Sequence, residues 1–520
     1  SLNVAFYNEL LHIIGLEEKD DAGKKLICRK EAGSRNAASL LESVIYQLGD
    51  YESNEERLFD IALNLTITWI NRILFLKLLE SQMLSYHAQQ EPAAYKFLDF
   101  KTIPDYDNLN ELFFKVLAIP VAERNTQVSQ KYSRVPYLNS SLFERTPNEQ
   151  KYFLISGLKA GKMALSKQTV LKDHTGNALK GDLDTLDYLF RFLDAYDFGS
   201  DTSEELTKEA SKTLINASVL GLIFEKINGY KDGSFFTPGT ITQFMCRETL
   251  RRTVVQKFNN AKGWNCTDFT TLYNQIDNIT EANNIVNSLK ICDPAVGSGH
   301  FLVSALNEII AIKNDLHILQ DKNGLRLKEY DITVENDELM IHDENGEPFV
   351  YNPLNKESQR IQETLFNEKQ TIIEHCLFGV DLNPNSVNIC RLRLWIELLK
   401  NAYYIDGSND LQTLPNIDIN IKCGNSLVSR FALDADLGQA LRHSKWSIAS
   451  YQTAVSTYHN AHNKEEKHKL EELIESIKGD FKSEISKKDP LFLRYTKVKG
   501  ELFNLTQQVT LFDRTEKEKK

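Results

Sequence analysis

Residues 289–292, 377–381 and 417–423 are short apolar runs, and helical patterns follow the first from Gly299 and the second from Pro384. That alternation constrains the fold more than any other feature, because strands separated by helices read as an α/β arrangement on a parallel sheet. A polar side chain stands at or just beyond the end of each run: Asp293, Asp381 and Asn425. In a doubly wound sheet ligands bind outside the carboxyl ends of the strands, so these three groups are expected to converge on one crevice.

The first run leads into Asp293-Pro294-Ala295-Val296-Gly297-Ser298-Gly299-His300-Phe301. Two glycines one residue apart permit a tight turn and let backbone amides approach a ligand with no Cβ in the way. The helix that follows offers unpaired amides and the positive end of its dipole. Gly-x-Gly alone is compatible with a purely structural turn; the preceding acidic residue and Pro-Ala shift the reading toward a binding loop. The second run, Phe378-Gly379-Val380-Asp381, ends in a carboxylate, after which Asn383 caps a helix with Pro384 at its first position. Asp381 taken singly reads as a turn residue, but a carboxylate at a strand tip after a glycine loop is where nucleotide-binding folds hold ribose hydroxyls. In the third run Ile417, Ile419, Ile421 and Cys423 alternate with polar residues and break at Gly424-Asn425, whose amide both donates and accepts, as an adenine edge requires.

With 520 residues the chain can bury two or three cores, and at least two domains are expected. These are a mostly helical domain over 1–200, a sheet domain over 201–430 with a hairpin insertion near 315–370, and a helical extension over 431–520. In the first, Leu58, Ile61, Leu65, Ile73, Leu76 and Leu84 recur at helical spacing within 51–87. The longest uncharged stretch there, 61–71, is too short to cross a bilayer, so a buried helix is expected. The aromatics of 188–198 read as core packing. Ser203 with two glutamates opens a helix reaching about Ile227, and Thr237 is placed to cap another over 241–250. The insertion alternates apolar and polar residues around Glu344-Asn345-Gly346, as a hairpin would. The charged run 464–478 reads as a solvated amphipathic helix.

The ordered set FFTP (235–238), DPAVGSGHF, GVDLNP and CGNSL resembles the adenine-N6 DNA methyltransferases of the gamma arrangement, and the flanking SVLGLIFEK, NRILFLKLLE and PYLNSSLFE resemble the large type IIG restriction-modification enzymes. The resemblance implies a Rossmann-like doubly wound sheet that binds S-adenosylmethionine, preceded by a helical domain. It implies that Phe236, Thr237 and Pro238 close over the cofactor, and that Asp293 with the backbone at Ala295, Gly297 and Gly299 holds its methionine part. Asp381 would take the ribose, Asn425 the adenine, and Phe301 and Leu382 would line the pocket. Double-stranded DNA is the implied partner of the intact enzyme.

Three departures stand against the family pattern: Asn425 where many relatives carry Asp, the long insertion between Asp293 and Asp381, and the lack of Asn/Asp-Pro-Pro-aromatic. No Pro-Pro occurs in the sequence. With Ser1 rather than Met at the start, the chain is expected to be a fragment that is inactive alone, with no catalytic residue of its own. Pro104-Asp105 followed by Glu111-Leu112-Phe113 does not make a nuclease site, and no metal site is expected. Seven scattered cysteines without a Cys-x-x-Cys pair argue against disulfides and zinc, and no basic-then-apolar leader opens the chain, so a reducing cytoplasmic setting is expected. A net charge of −11 does not advertise nucleic-acid binding, which would rest on a local patch. A non-catalytic methyltransferase-like scaffold is the alternative from another class. A Rossmann dehydrogenase fits less well, because position 302, where a third glycine would stand, is Leu.

Overall fold

The computed structural model describes residues 3–21, 24–49, 51–88, 91–199, 213–215, 217–228, 237–327, 329–335, 337–405, 410–412, 414–428, 441–461, 464–486, 494–495 and 497–502. They fall into two compact units, Ser1–Ser426 and Leu427–Lys520.

The first unit opens with the helix Val4–Ile14, whose cap Asn3 accepts the Phe6 amide at 3.0 Å. An antiparallel pair follows, β1 (Leu16–Asp21) with β2 (Lys24–Arg29). The helix Glu55–Tyr86 is long and apolar enough to cross a membrane, yet 89% of its most apolar window is buried inside the unit. Its charged residues explain how it lies there. Arg72 and Glu149, both with side chains at 0% exposure, pair at 2.5 Å, and Lys77 pairs with Glu80 at 2.7 Å and Asp194 at 2.5 Å. Charges this deep persist only when matched and hydrogen-bonded. A second antiparallel pair, β3 (Lys162–Ala164) with β4 (Asp182–Asp184), precedes the helix Thr185–Asp194. Phe6 packs at 4.9 Å from both Phe192 and Tyr196, so the aromatic run is core. The N-terminal region is therefore helical with two β pairs that its charged strands, LEEKDD above all, conceal in the sequence.

The remaining strands among the described residues are β5 (Ile291–Asp293), β6 (Tyr330–Glu335), β7 (Glu338–Asp343), β8 (Leu377–Asp381) and β9 (Ile421–Cys423). β5, β8 and β9 form a parallel sheet in that order, with Ile291 opposite Leu377 and Gly379 opposite Ile421. The helices His300–Asp315, Lys356–Cys376 and Pro384–Leu399 pack on these strands and on one another, which places them on one face. Cys292 and Lys422, which alternate with the inward residues, are exposed. The order steps in one direction without reversing, and right-handed crossovers in such a series put every connection on the same side. Among the described residues the sheet is thus wound on one face only.

Local expectations needed four corrections. β9 is shorter than 417–423: Asn420 donates through its side-chain amide to the carbonyls of Ile373, Glu374 and Leu377 at 2.9, 2.9 and 3.0 Å. Its own N–H meets the Ile417 carbonyl at 3.1 Å, so 417–420 becomes a turn that caps the end of the helix Lys356–Cys376. In the insertion, β6 and β7 pair up to Glu335 opposite Glu338, earlier than expected, with Asp337 at φ +68°. The turn at Glu344-Asn345-Gly346 also forms, through Gly346 N–H to Asp343 O at 2.9 Å, and returns the chain a second time. Third, the expected hairpin insertion near 315–370 is not hairpin throughout: its last part is the start of the helix Lys356–Cys376. Finally, the helix after FFTP runs Gly239–Lys262, with Pro238 at its N-cap position and no side-chain cap from Thr237. The expected opening of a helix at Ser203 lies outside the described residues; the described helix there is Ala217–Asn228.

In the second unit the helices Ile448–His459 and Lys464–Ser486 pack together. Tyr458 donates to Glu471 at 3.0 Å, and Ile474 and Ile477 are buried between them. One face of the charged helix is core, the other is solvated.

Candidate functional site

The turn after β5 is stitched to the tip of β8. Val296 N–H donates to the Val380 carbonyl at 2.9 Å, and Gly297 N–H donates to Asp381 Oδ2 at 2.9 Å. The turn also closes on itself, with Gly299 N–H on Val296 O at 2.8 Å and Ala295 N–H on Asp293 Oδ1 at 3.0 Å. Two glycines make this approach possible. A Cβ on Gly379 would come within 2.7 Å of Val296 Cγ2, and one on Gly299, at φ +86°, within 2.7 Å of Cys390 Sγ. Gly299 is the N-cap of His300–Asp315 and supplies no side-chain cap. The first-turn amides of that helix consequently point out of its N-terminus without a side-chain acceptor from the cap.

Two carboxylates flank this helix end. Burial pushes Asp293 above the ordinary carboxylate range, the neighbouring charge of Asp381 adds to that, and the Ala295 N–H opposes it. Asp381 uses Oδ2 for Gly297 and Oδ1 for the Asn383 N–H at 2.8 Å. Each carboxylate oxygen accepts more than one bond, so Asp381 can still receive a hydroxyl. Two neighbouring carboxylates at the strand tips favour a ligand that carries positive charge and hydroxyl donors.

The expected residues are placed as follows. Asp293, Ala295, Gly297, Gly299 and Asp381 are joined in one hydrogen-bonded assembly. Asn425 follows Gly424, whose N–H bonds the Asp381 carbonyl at 2.9 Å, so it stands beside the second strand tip and is exposed. Leu382 is 69% exposed, and its carbonyl accepts from Cys423 Sγ at 3.4 Å. Phe301 is half-buried, its carbonyl facing Cys246 Sγ at 3.6 Å on the helix Gly239–Lys262. Thr237 and Pro238 lead into that helix, which is tied to His300–Asp315 by Thr242 Oγ1 and Ser304 Oγ at 2.9 Å. Phe236 lies outside the described residues.

Sequence reasoning missed the support behind the turn. Glu225 on Ala217–Asn228, Ser298 and Arg393, all buried, form with the half-buried His300 a polar cluster under the glycines. Glu225 sits in LGLIFEK, where one carboxylate in a helix looks like a solvated residue; only its apolar flanks hint otherwise.

Residues 269–483 match the DNA-methyltransferase domain of MmeI, and residues 1–215 match a domain of unknown function, DUF7814. The chain is 29% identical over 510 residues to the "Putative type II restriction enzyme and methyltransferase RM.MjaORFECS2P" of Methanocaldococcus jannaschii, covering 91% of this chain and 36% of that protein. It is 28% identical over 144 residues to the Escherichia coli type II restriction enzyme and methyltransferase RM.Eco57I, covering 28% of this chain and 11% of that one. The chain thus spans about a third or less of the length of these relatives. The solved structure of the type IIL restriction-modification enzyme MmeI with DNA aligns at 13% identity over 75% of this chain and 40% of its own, with a TM-score of 0.36.

Proposed function

We propose that these strand tips bind S-adenosylmethionine and present its methyl group for transfer to the N6 of adenine in double-stranded DNA, a reading supported by the match of residues 269–483 to the DNA-methyltransferase domain of MmeI and by the likeness to type II restriction enzymes and methyltransferases. The observation that carries this reading is the Gly297 N–H on Asp381 Oδ2, which brings together a glycine turn, a helix N-terminus without a side-chain cap and the strand-tip carboxylate of Asp381. A nucleoside with a cationic amino-acid arm fits those groups. Asp381 accepts the ribose hydroxyls. Asp293 receives the ammonium, while the amides near Gly299 meet the carboxylate of the same arm. Asn425, with Leu382 and Phe301, holds the adenine, and Thr237 with Pro238 borders the opening beside Phe236. The bound cofactor supplies the methyl group; the chain supplies its orientation. The order of motifs supports adenine as the target.

Selecting a base out of a duplex needs acceptors for its amino group. No Asn/Asp-Pro-Pro-aromatic occurs among the 520 residues, so the chain is proposed to be a cofactor-binding part that does not methylate by itself. The region 1–200 is proposed as a helical support, 201–430 as the cofactor domain and 431–520 as an extension, in a cytoplasmic enzyme. Titration calorimetry with S-adenosylhomocysteine and with NAD tests the reading. Saturable binding of the first and none of the second is expected; the reverse would sink it.

A further inference from the structure

Glu225 is 4% exposed and is reached from three elements. Ser298 Oγ, in the glycine turn, donates to Glu225 Oε1, and His300 Nε2, at the first residue of the following helix, pairs with the same oxygen. Arg393 Nη1, from Pro384–Leu399, lies 3.2 Å from it. The guanidinium closes the cluster: Nη1 also donates to Ser298 Oγ at 3.4 Å and Ser298 O at 3.5 Å, and Nη2 meets His300 Nδ1 at 3.2 Å. One turn before Glu225, a Cβ on Gly221 would stand 3.1 Å from Arg393 Nε, so the helix backbone itself runs against the guanidinium.

A buried carboxylate and guanidinium cost more to desolvate than an apolar plug of the same size. What they provide is direction. The glycine turn has little rigidity of its own, since Gly297 and Gly299 both sit at positive φ, and the helix it opens has no side-chain cap. On the crevice side the turn is held by Asp381 through Gly297; on the opposite side Ser298 and His300 point back to Glu225. Fixing 297 from the front and 298 and 300 from behind leaves one orientation for the amides between them.

We propose that Glu225 is a positioning residue for the cofactor, which through Ser298 and His300 sets the glycine turn in its binding geometry. This rests on the reading of the crevice as an S-adenosylmethionine site. Glu225 touches no ligand in this scheme; it acts through Ser298 and His300. The test uses the full chain, with S-adenosylhomocysteine affinity by calorimetry and melting temperature measured on Ser298→Ala, Glu225→Gln and the double variant. Ser298→Ala removes the hydroxyl and leaves the Glu225–Arg393 pair, so it is expected to melt within a few degrees of the parent while binding roughly tenfold more weakly, the scale of one hydrogen bond to a charged group. The double variant is expected to bind no more weakly than the worse single variant, because both remove the same link. Parental affinity in Ser298→Ala, or losses that multiply in the double variant, would overturn the proposal, and Ser298→Ala alone decides if Glu225→Gln does not fold. Absence of binding by the parent chain would overturn the cofactor reading and this inference with it.

Discussion

Gly297 N–H and Asp381 Oδ2 lie 2.9 Å apart across 84 residues of sequence, and this bond joins the first strand's turn to the second strand's tip. Asp381 thereby serves the scaffold as well as any ligand: one oxygen holds the glycine turn, the other holds the start of the next helix.

Replacing Asp381 with Ala removes both contacts together with the acceptor proposed for the ribose. Affinity for S-adenosylhomocysteine is expected to fall by about 1 to 3 kcal/mol, the scale of hydrogen bonds to a carboxylate. Calorimetry giving equal affinity for parent and variant would refute the ribose assignment.

Gly299→Ala tests the close approach of the turn to the helix Pro384–Leu399. The left-handed backbone at φ +86° costs an L-residue roughly 1 to 2 kcal/mol, and the new methyl meets Cys390 Sγ at 2.7 Å. The variant should melt well below the parent. Adding Cys390→Ala should relieve the clash and leave the backbone cost, so the double variant loses less than the sum of the two singles. Additive losses would mean that the sulfur is not what limits this site.

Those two residues were legible because their demands are local. A glycine at a strand-to-helix turn and an acid before an Asn-Pro helix start are written within a few neighbouring positions, and β8 with its following helix fell where those positions put them. Glu225 was not legible: its partners Ser298 and Arg393 are 73 and 168 residues away. Nor was the end of β9, since Ile417 and Ile419 alternate as a strand should. Only Asn420, bonded to three carbonyls of another segment, bends them away. The parallel order was legible from the alternation of strands and helices, while the second face of a doubly wound sheet is not reached by the three described strands, which step in one direction.

Methyl transfer separates cofactor binding from catalysis. An exocyclic adenine amine is a weak nucleophile whose lone pair is delocalised into the ring, and positioned acceptors are needed to localise it. With tritiated cofactor and mixed-sequence duplex DNA, the 520-residue chain is expected to show background incorporation despite saturable cofactor binding. The charge of −11 adds weak duplex affinity at physiological salt. Turnover above background would show that another segment supplies the acceptors, and the helices beyond residue 441 would be the first to be searched.

Asp337 gives the unit a pH dependence of definite sign. It turns the hairpin between β6 and β7 and is buried against His300–Asp315, accepting from Ser304 Oγ at 2.6 Å. Burial pushes it up from 3.8 to about 6, against the Ser304 bond and the charges of Arg393 and His300, with Glu397 adding to the rise. Near pH 4 and below, the folded carboxyl is neutral and its burial carries no charge penalty. As pH rises toward 6, the unfolded chain has already released this proton while the folded chain must bury the charge. Stability is therefore lost between about pH 4 and 6 and stays lost above, by roughly 3 kcal/mol at most. Asp337→Asn cannot ionise, keeps an oxygen for Ser304, and tolerates φ +68°. Its stability relative to the parent should be near equal at pH 4 and should grow to favour the variant by pH 7, measured as denaturant midpoints across that range. A variant that is near equal to the parent at pH 4 and becomes less stable than it as the pH rises to 7 would instead show that the ionised Asp337 is held by Arg393 and contributes to the fold.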